Sequence, residues 1–364
     1  MSRDDSKPVR VEERLAERGG AIEFLRAPAA LFGGVVAARG WLYDRGWLPS
    51  HRIDVPVVCV GNLTAGGTGK SPFVEWLARW FEQRGWRTGL LMRGYAAKPG
   101  EDGDEARMLA EHLPDVPLVQ DADRVRGAWA LAERGVDVIL LDDGFQHRRL
   151  RRDRDLVLVD ATRPWGLPGR EGRDPVRSLL PRGLLREPPR ALGRADAVVI
   201  TRSDQIDPDR LERLRAELAN LSNGAPIVTA RHAPVGLEGV SDATRWSLDE
   251  LADRTVDLVS GIGNPAAFER TVESLGADVR EHRRFPDHHA YSGADLAGLG
   301  KDGVAVVTTA KDAVKLSELL PGALSLEVEF ELTAGSAPLV AQLESIPPGP
   351  RQRERRAMHE GLHG

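Results

Sequence analysis

The stretch Gly61-Asn62-Leu63-Thr64-Ala65-Gly66-Gly67-Thr68-Gly69-Lys70-Ser71 has the residue types and spacing of a phosphate-binding loop. The apolar run Val57-Val58-Cys59-Val60 leads into it, and a helical pattern follows. Glycines let backbone N–H groups close around phosphate oxygens, and the helix N-terminus adds positive potential. Lys70 is spaced to reach the β- and γ-phosphates of ATP, and the Ser71 hydroxyl to bind Mg²⁺. The strict pattern has glycine at position 64, where this chain carries Thr64. The alternative is a glycine-rich turn that binds nothing, but the flanking strand and helix favour residues 64–71 as a nucleotide site.

Further carboxylates and basic residues lie downstream. Val138-Ile139-Leu140-Leu141-Asp142-Asp143 reads as a buried strand ending in two acids. A parallel strand delivers an acid to its C-terminal edge, where Mg²⁺ needs oxygen ligands. The spacing leaves open which aspartate binds directly. Gly103-Asp104-Glu105 opens a helix, and from spacing alone simple N-capping is the favoured reading. Arg93-Gly94-Tyr95 follows a strand, which puts Tyr95 at the sheet's ligand-binding edge. Arg124 and Arg186 have the chemistry to hold phosphate, although a solvated arginine is the commoner reading. Asp287-His288-His289 joins an acid to imidazoles without the spacing of a zinc site, which favours a histidine that assists a base or contacts phosphate. Lys311 stands at a strand-to-helix junction, where it either faces the cleft between the two units or merely caps the structure.

The elements that must position these groups alternate strand and helix from residue 51, which predicts an α/β fold with a mostly parallel sheet. Strands are expected at Val55–Val60, Thr88–Met92, Val136–Leu141, Leu156–Asp160, Ala197–Thr201 and Pro226–Ala230. A second, smaller α/β unit is expected from about residue 231, with strands at Asp257–Ser260 and Val304–Thr308. Between them, Gly261-Ile262-Gly263-Asn264-Pro265 reads as a tight strand-to-helix turn. The division is therefore 1–50, an N-terminal segment; 51–230, a P-loop unit; 231–346, the second unit; and 347–364, a basic disordered tail.

At 364 residues the chain can bury two cores. Its formal charge of -5 argues against a nucleic-acid partner. Cys59, the single cysteine, excludes an internal disulfide and a thiolate metal site, and fits a reducing compartment. Met1 to Arg18 is densely charged, so no secretory signal is expected there. Phe24 to Leu48 is apolar, with Trp41, Trp47 and scattered arginines, and its longest uncharged run is Ala27 to Ala38. That run falls short of the about 20 residues a span needs, so an amphipathic helix at a membrane surface is expected, or else a helix packed on the next domain.

In their order along the chain, these motifs resemble one family, tetraacyldisaccharide 4'-kinase, the lipid A 4'-kinase of Gram-negative envelope synthesis. The segments that carry the resemblance are residues 61–72 with Thr64, Arg93-Gly94-Tyr95, Gly103-Asp104-Glu105, Asp142-Asp143-Gly144-Phe145-Gln146-His147, Leu185-Arg186-Glu187-Pro188, Gly261-Ile262-Gly263, Asp287-His288 and Lys311-Asp312-Ala313-Val314-Lys315. The resemblance implies a peripheral enzyme on the cytoplasmic face of the inner membrane, without a transmembrane span. It would move the γ-phosphate of ATP to the 4'-hydroxyl of a lipid disaccharide 1-phosphate, giving lipid IVA. It further implies Asp104 as the base with His288 as its partner, Glu105, Asp142 and Asp143 with Ser71 at Mg²⁺, and Arg124 and Arg186 as catalytic or substrate arginines. Two departures stand out: Ala96-Ala97 after Tyr95, and Arg182 in Pro181-Arg182-Gly183-Leu184-Leu185-Arg186-Glu187, a charge expected to alter substrate contact.

The rival reading is a P-loop switch ATPase or GTPase acting on a partner at the membrane. Thr201-Arg202-Ser203-Asp204 nearly matches the guanine-specifying pattern, with arginine in place of lysine. It leaves Gly103-Asp104-Glu105 and Asp287-His288 without a role.

Overall fold

A computed structural model describes residues 11–94, 103–169 and 175–350. Tyr95, Ala96-Ala97 and nearly all of the basic tail lie outside the described residues. The strands are β1 (Val57–Asn62), β2 (Thr88–Met92), β3 (Leu118–Gln120), β4 (Val138–Asp142), β5 (Arg154–Asp160), β6 (Ala197–Thr201), β7 (Ile227–Gly239), β8 (Arg245–Trp246), β9 (Thr255–Ser260), β10 (Asp278–Arg284), β11 (Ala305–Thr309) and β12 (Leu324–Ala334). The helices are α1 (Val11–Leu15), α2 (Arg26–Asp44), α3 (Lys70–Glu82), α4 (Asp104–His112), α5 (Arg124–Glu133), α6 (Pro208–Leu221), α7 (Pro265–Ser274), α8 (Gly293–Leu296), α9 (Ala310–Leu316) and α10 (Ser336–Glu344).

All strands join one sheet in the order β10-β9-β11-β12-β7-β6-β5-β1-β4-β2-β3, with β8 beside β7. Among the described residues every pairing is parallel except β7 with β12 and β7 with β8. The central strands are continuous apolar runs because helices cover both faces. Successive side chains of β1 therefore enter opposite cores. Val58 and Val60 meet Phe73, Leu77 and Phe81 of α3, whereas Val57 and Cys59 meet Leu131 of α5 and Leu218 of α6. Each fully buried aromatic of α3 contributes about 1.5–3 kcal/mol by leaving water.

The expected boundary at residue 230 falls inside β7, which runs unbroken from Ile227 to Gly239. Its long antiparallel partner β12 carries the chain back, and Leu339 and Leu343 of α10 pack into the α3 core. The chain past residue 230 thus completes the first core as well as building its own around Leu258, Phe268 and Val307.

The N-terminal segment is helical from Gly20 to Asp44, with a mean hydropathy of 1.5 in its most apolar window, and only 6% of that window is buried. It is long and apolar enough to cross a membrane by length and composition, which the uncharged run Ala27 to Ala38 understated. It is also not two-faced as expected. Leu31, Val35 and Trp41 are exposed, while the covered side is apolar too, with Gly33 against Leu179. Its C-terminal end is tied to the body by Arg39 Nη1 to the Gln146 carbonyl at 2.9 Å and by Arg148 to the Gly40 carbonyl and Asp44.

Arg182 does not face substrate. Its side chain is 1% exposed and donates to the Leu15 and Glu17 carbonyls at 2.7 and 2.8 Å and to Glu23 at 2.8 Å. It clamps the segment before α2 onto the body.

Candidate active site

A cleft of about 860 Å³ runs along the C-terminal ends of β1, β4 and β2. Residues 65–71 line it, as do Asp104, Glu105, Arg124, Asp142, Asp143, Arg186 and His288. Thr64 does not. It is buried behind the loop, where it bridges to Leu185 and packs on Gly166, so its contribution is to shape rather than to nucleotide contact.

The loop is held open from beneath. Asn62 Nδ2 donates to Thr68 Oγ1 at 3.0 Å, and Thr201 Oγ1 donates to the Thr68 carbonyl at 2.9 Å. Gly66 and Gly69 take the left-handed φ values of 116° and 82° that only glycine adopts freely. The His232 ring fills the space beside Gly69, where a Cβ would stand 2.4 Å from Cε1. Burial pushes the His232 pKa down to about 3, so its ring is neutral, and its Nε2 is buried without a partner.

Gly261-Ile262-Gly263 is more than a turn. A Cβ on Gly263 would stand 2.1 Å from the Gly67 nitrogen, so the two backbones touch. Asn264 beside it donates to Asp160 at 2.8 Å, and Arg202 reaches the same Asp160 oxygen at 2.5 Å and the Gly67 carbonyl at 3.4 Å. Arg202 thus braces the phosphate loop at the place where the near-match to a guanine motif stood.

β4 lies beside β1 with Asp142 opposite Val60, which brings both aspartates to the loop. Their surroundings differ. Asp143 sits 3.4 Å from Lys70 Nζ and accepts from Arg186 Nη1 at 2.8 Å on both oxygens. Burial opposes its ionisation, but Lys70 and Arg186 outweigh burial and hold its pKa at about 2. Asp142 has the reverse balance: burial and the nearby Glu105 charge push it up to about 8, and its Oδ1 is buried without a partner. Ser71 Oγ donates to Glu105. Arg124 is 3% exposed and donates to the Asp121 carbonyl at 2.6 Å, with its Nε unpartnered.

Asp104 is not a helix cap. Gly103 occupies the N-cap without a side-chain bond, and Asp104 is the first residue of α4. Its Oδ2 lies 3.6 Å from His288 Nδ1 and 3.2 Å from Lys315 Nζ, both from the far half of the sheet. His288 holds a left-handed φ of 61°, a rare state for a non-glycine residue and one that recurs at functional sites. Lys311 pairs with Asp287 at 2.8 Å at the edge of the same cleft. Asn62, His147, Arg202, His232 and Lys315 are further polar neighbours of the site, and of these only His232 lies outside every motif legible in the sequence.

The tetraacyldisaccharide-1-P 4'-kinase family profile matches residues 22–346. The chain belongs to this family. It is thereby a kinase that acts on a hydroxyl group, which removes the switch-protein alternative. It is 40% identical to the tetraacyldisaccharide 4'-kinase of Anaeromyxobacter sp. (strain K) over 356 residues, 90% of this chain and 92% of that one. It is 35% identical to that of Halothermothrix orenii, over 78% of this chain and 80% of that one. The crystal structure of LpxK from Aquifex aeolicus in complex with ATP superposes with a TM-score of 0.68 at 29% identity, covering 89% of this kinase and 99% of that chain.

Proposed function

We propose that this kinase transfers the γ-phosphate of ATP to the 4'-hydroxyl of a tetraacyldisaccharide 1-phosphate, giving lipid IVA in lipid A biosynthesis. The observation that carries the reading is the convergence of a phosphate loop and an uncapped carboxylate, Asp104, on one cleft. Residues 65–71 and Lys70 hold the triphosphate. Asp104 accepts the proton of the attacking hydroxyl, whose oxygen forms the new bond to phosphorus as the bond to ADP breaks. His288 orients Asp104, and Lys70 neutralises charge on the leaving phosphate. Arg124 and Arg186 face the same phosphates.

The residues present fit Mg²⁺. Two observations support this: Asp142 is overloaded with nearby negative charge, and its Oδ1 is buried and unpartnered. Ser71, Glu105, Asp142 and Asp143 are the ligands we assign. Mg²⁺ takes one or two carboxylates plus phosphate oxygens and water, and among the described residues the acids do not close a cage of their own. When bound, the ion would supply positive charge that offsets the negative charge of the triphosphate.

The exposed apolar helix supports a peripheral position on the cytoplasmic face of the inner membrane. Phe24, Leu31, Val35, Trp41 and Trp47 are exposed, and Arg39 at its end lines the cleft, so a lipid acceptor held at the surface is delivered to the site. Loss of liposome binding in a variant with all five replaced by serine is the expected result; unchanged binding counts against it.

The deciding assay supplies ATP with tetraacyldisaccharide 1-phosphate and follows phosphorylated lipid. Nucleotide hydrolysis without lipid phosphorylation would sink the proposal.

A further inference from the structure

We infer that Lys315 is a positioning residue for the transfer step: it sets the Asp104 carboxylate and ties its placement to the phosphate loop. Lys315 does not line the cleft, so its role is exercised through Asp104. An ammonium group has three donors, and here it forms one hydrogen bond and two ion pairs. Nζ lies 3.2 Å from Asp104 Oδ2, 3.2 Å from Asp312 Oδ1 and 3.3 Å from the His289 carbonyl, with the Tyr291 ring 5.2 Å away. A side chain pinned between three acceptors has little room to move, and it is 12% exposed. The lysine is nearer to Asp104 than His288 Nδ1 is, at 3.2 Å against 3.6 Å.

The anchor behind it is rigid. Asp312 is wholly buried and accepts from the Gly261 N–H at 2.9 Å, the Thr309 hydroxyl at 2.8 Å and the Tyr291 hydroxyl at 3.0 Å. Gly261 begins the turn whose Gly263 touches Gly67 of the phosphate loop. A continuous run of contacts therefore links donor loop to base: Gly67, Gly263, Gly261, Asp312, Lys315, Asp104. Placement errors of an ångström cost rate rather than binding, so the signature is a loss in kcat.

The inference rests on the reading of Asp104 as the base, and the test separates the two. Steady-state kinetics with ATP and lipid acceptor are measured for Asp104→Asn, Lys315→Met, Lys315→Arg and the Asp104→Asn/Lys315→Met double variant. Melting curves and nucleotide binding check that each variant folds. Lys315→Met should lower kcat about 100-fold with KM for ATP within about twofold. Lys315→Arg, which keeps the charge, should regain about tenfold of that, and the double variant should be no slower than Asp104→Asn alone. An inactive Asp104→Asn beside a Lys315→Met of normal kcat overturns the inference and leaves the base assignment standing. So do losses that multiply in the double variant, or a Lys315→Arg as slow as Lys315→Met. An Asp104→Asn of normal kcat overturns the base assignment, and with it the role of Lys315. If Lys315→Met does not fold, Lys315→Arg decides: kcat within about tenfold of the parent supports the inference, and a fall of about 100-fold overturns it.

Discussion

The phosphate loop keeps its shape mainly through backbone and neutral side chains. Asn62, Thr68 and Thr201 hydrogen-bond one another, and Gly263 packs against Gly67. Around Asp104, by contrast, most contacts are ionic: Lys315 stands between Asp104 and Asp312, Lys311 pairs with Asp287, and the His288 imidazole lies beside Asp104. The loop comes from contiguous residues on one strand and helix, whereas the Asp104 cluster joins residues 104 and 287–315 across the sheet. The loop's chemistry is therefore carried by contiguous residues, whereas the base is set only by residues that the two halves of the sheet bring together.

The strongest way to break this comparison is to remove the loop's charge. Lys70→Ala should lower turnover on the order of 1000-fold, since one lost electrostatic contact to a developing charge is worth about that much. Near-normal turnover would show that Arg186 or the backbone N–H groups suffice. On the other side, Asp104→Asn should cost roughly 100-fold, at the low end for a general base, with nucleotide affinity unchanged. A matching drop in ATP affinity would mean that the two regions are not separate.

Their junction is probed by Gly263→Val. The new side chain collides with the Gly67 nitrogen, and such overpacking costs about 1–3 kcal/mol. KM for ATP should rise about tenfold, the equivalent of 1.4 kcal/mol. An unchanged KM would show that the loop yields without loss.

The smallest effect is at the back of α4. His112 Nδ1 lies 3.0 Å from Glu75 Oε2 of α3. The hydrogen bond to Glu75 raises the His112 pKa, and although burial opposes ionisation of Glu75, His112 outweighs it and lowers its pKa. The His112 contribution is complete below the ordinary histidine range and is lost as pH rises through its raised value. The Glu75 contribution is present above the ordinary carboxylate range and is lost as pH falls through its lowered value. The pair should thus add less than about 1 kcal/mol, greatest in mildly acidic solution. Melts of the parent and His112→Ala across roughly pH 4 to 9 should diverge most there, with turnover at the optimum little changed.

Much of this was legible along the chain. β2 and β6 have the bounds that apolar runs and turns dictate, and the loop, the Asp142-Asp143 strand end and the Asp104–His288 pair all meet in one cleft. Other elements were not. β12 reads as Leu-Ser-Leu-Glu-Val-Glu-Phe-Glu-Leu-Thr-Ala, half polar, because one of its faces is only partly covered, and β10 is an edge strand of mostly charged residues. Their strand state comes from pairing rather than from composition. The N-terminal helix was legible as an apolar stretch, and its length from Gly20 to Asp44 exceeds the uncharged run because a helix tolerates a charge at each end.

The sequence by itself determined the features that depend on neighbours in the chain: a strand, a glycine turn, a lysine and a hydroxyl in one order, and acids at a strand end. Backbone dihedrals and helix termini act within a few residues, so these motifs carry their chemistry wherever the chain folds. Only the tertiary structure decided that Thr64 is buried away from the cleft, that Arg182 grips the N-terminal segment, that Gly263 seals the loop and that Lys315 stands beside Asp104. Each is a meeting of residues far apart in sequence. Such a meeting is set by how two cores pack on one sheet, and the local pattern holds no record of that distance.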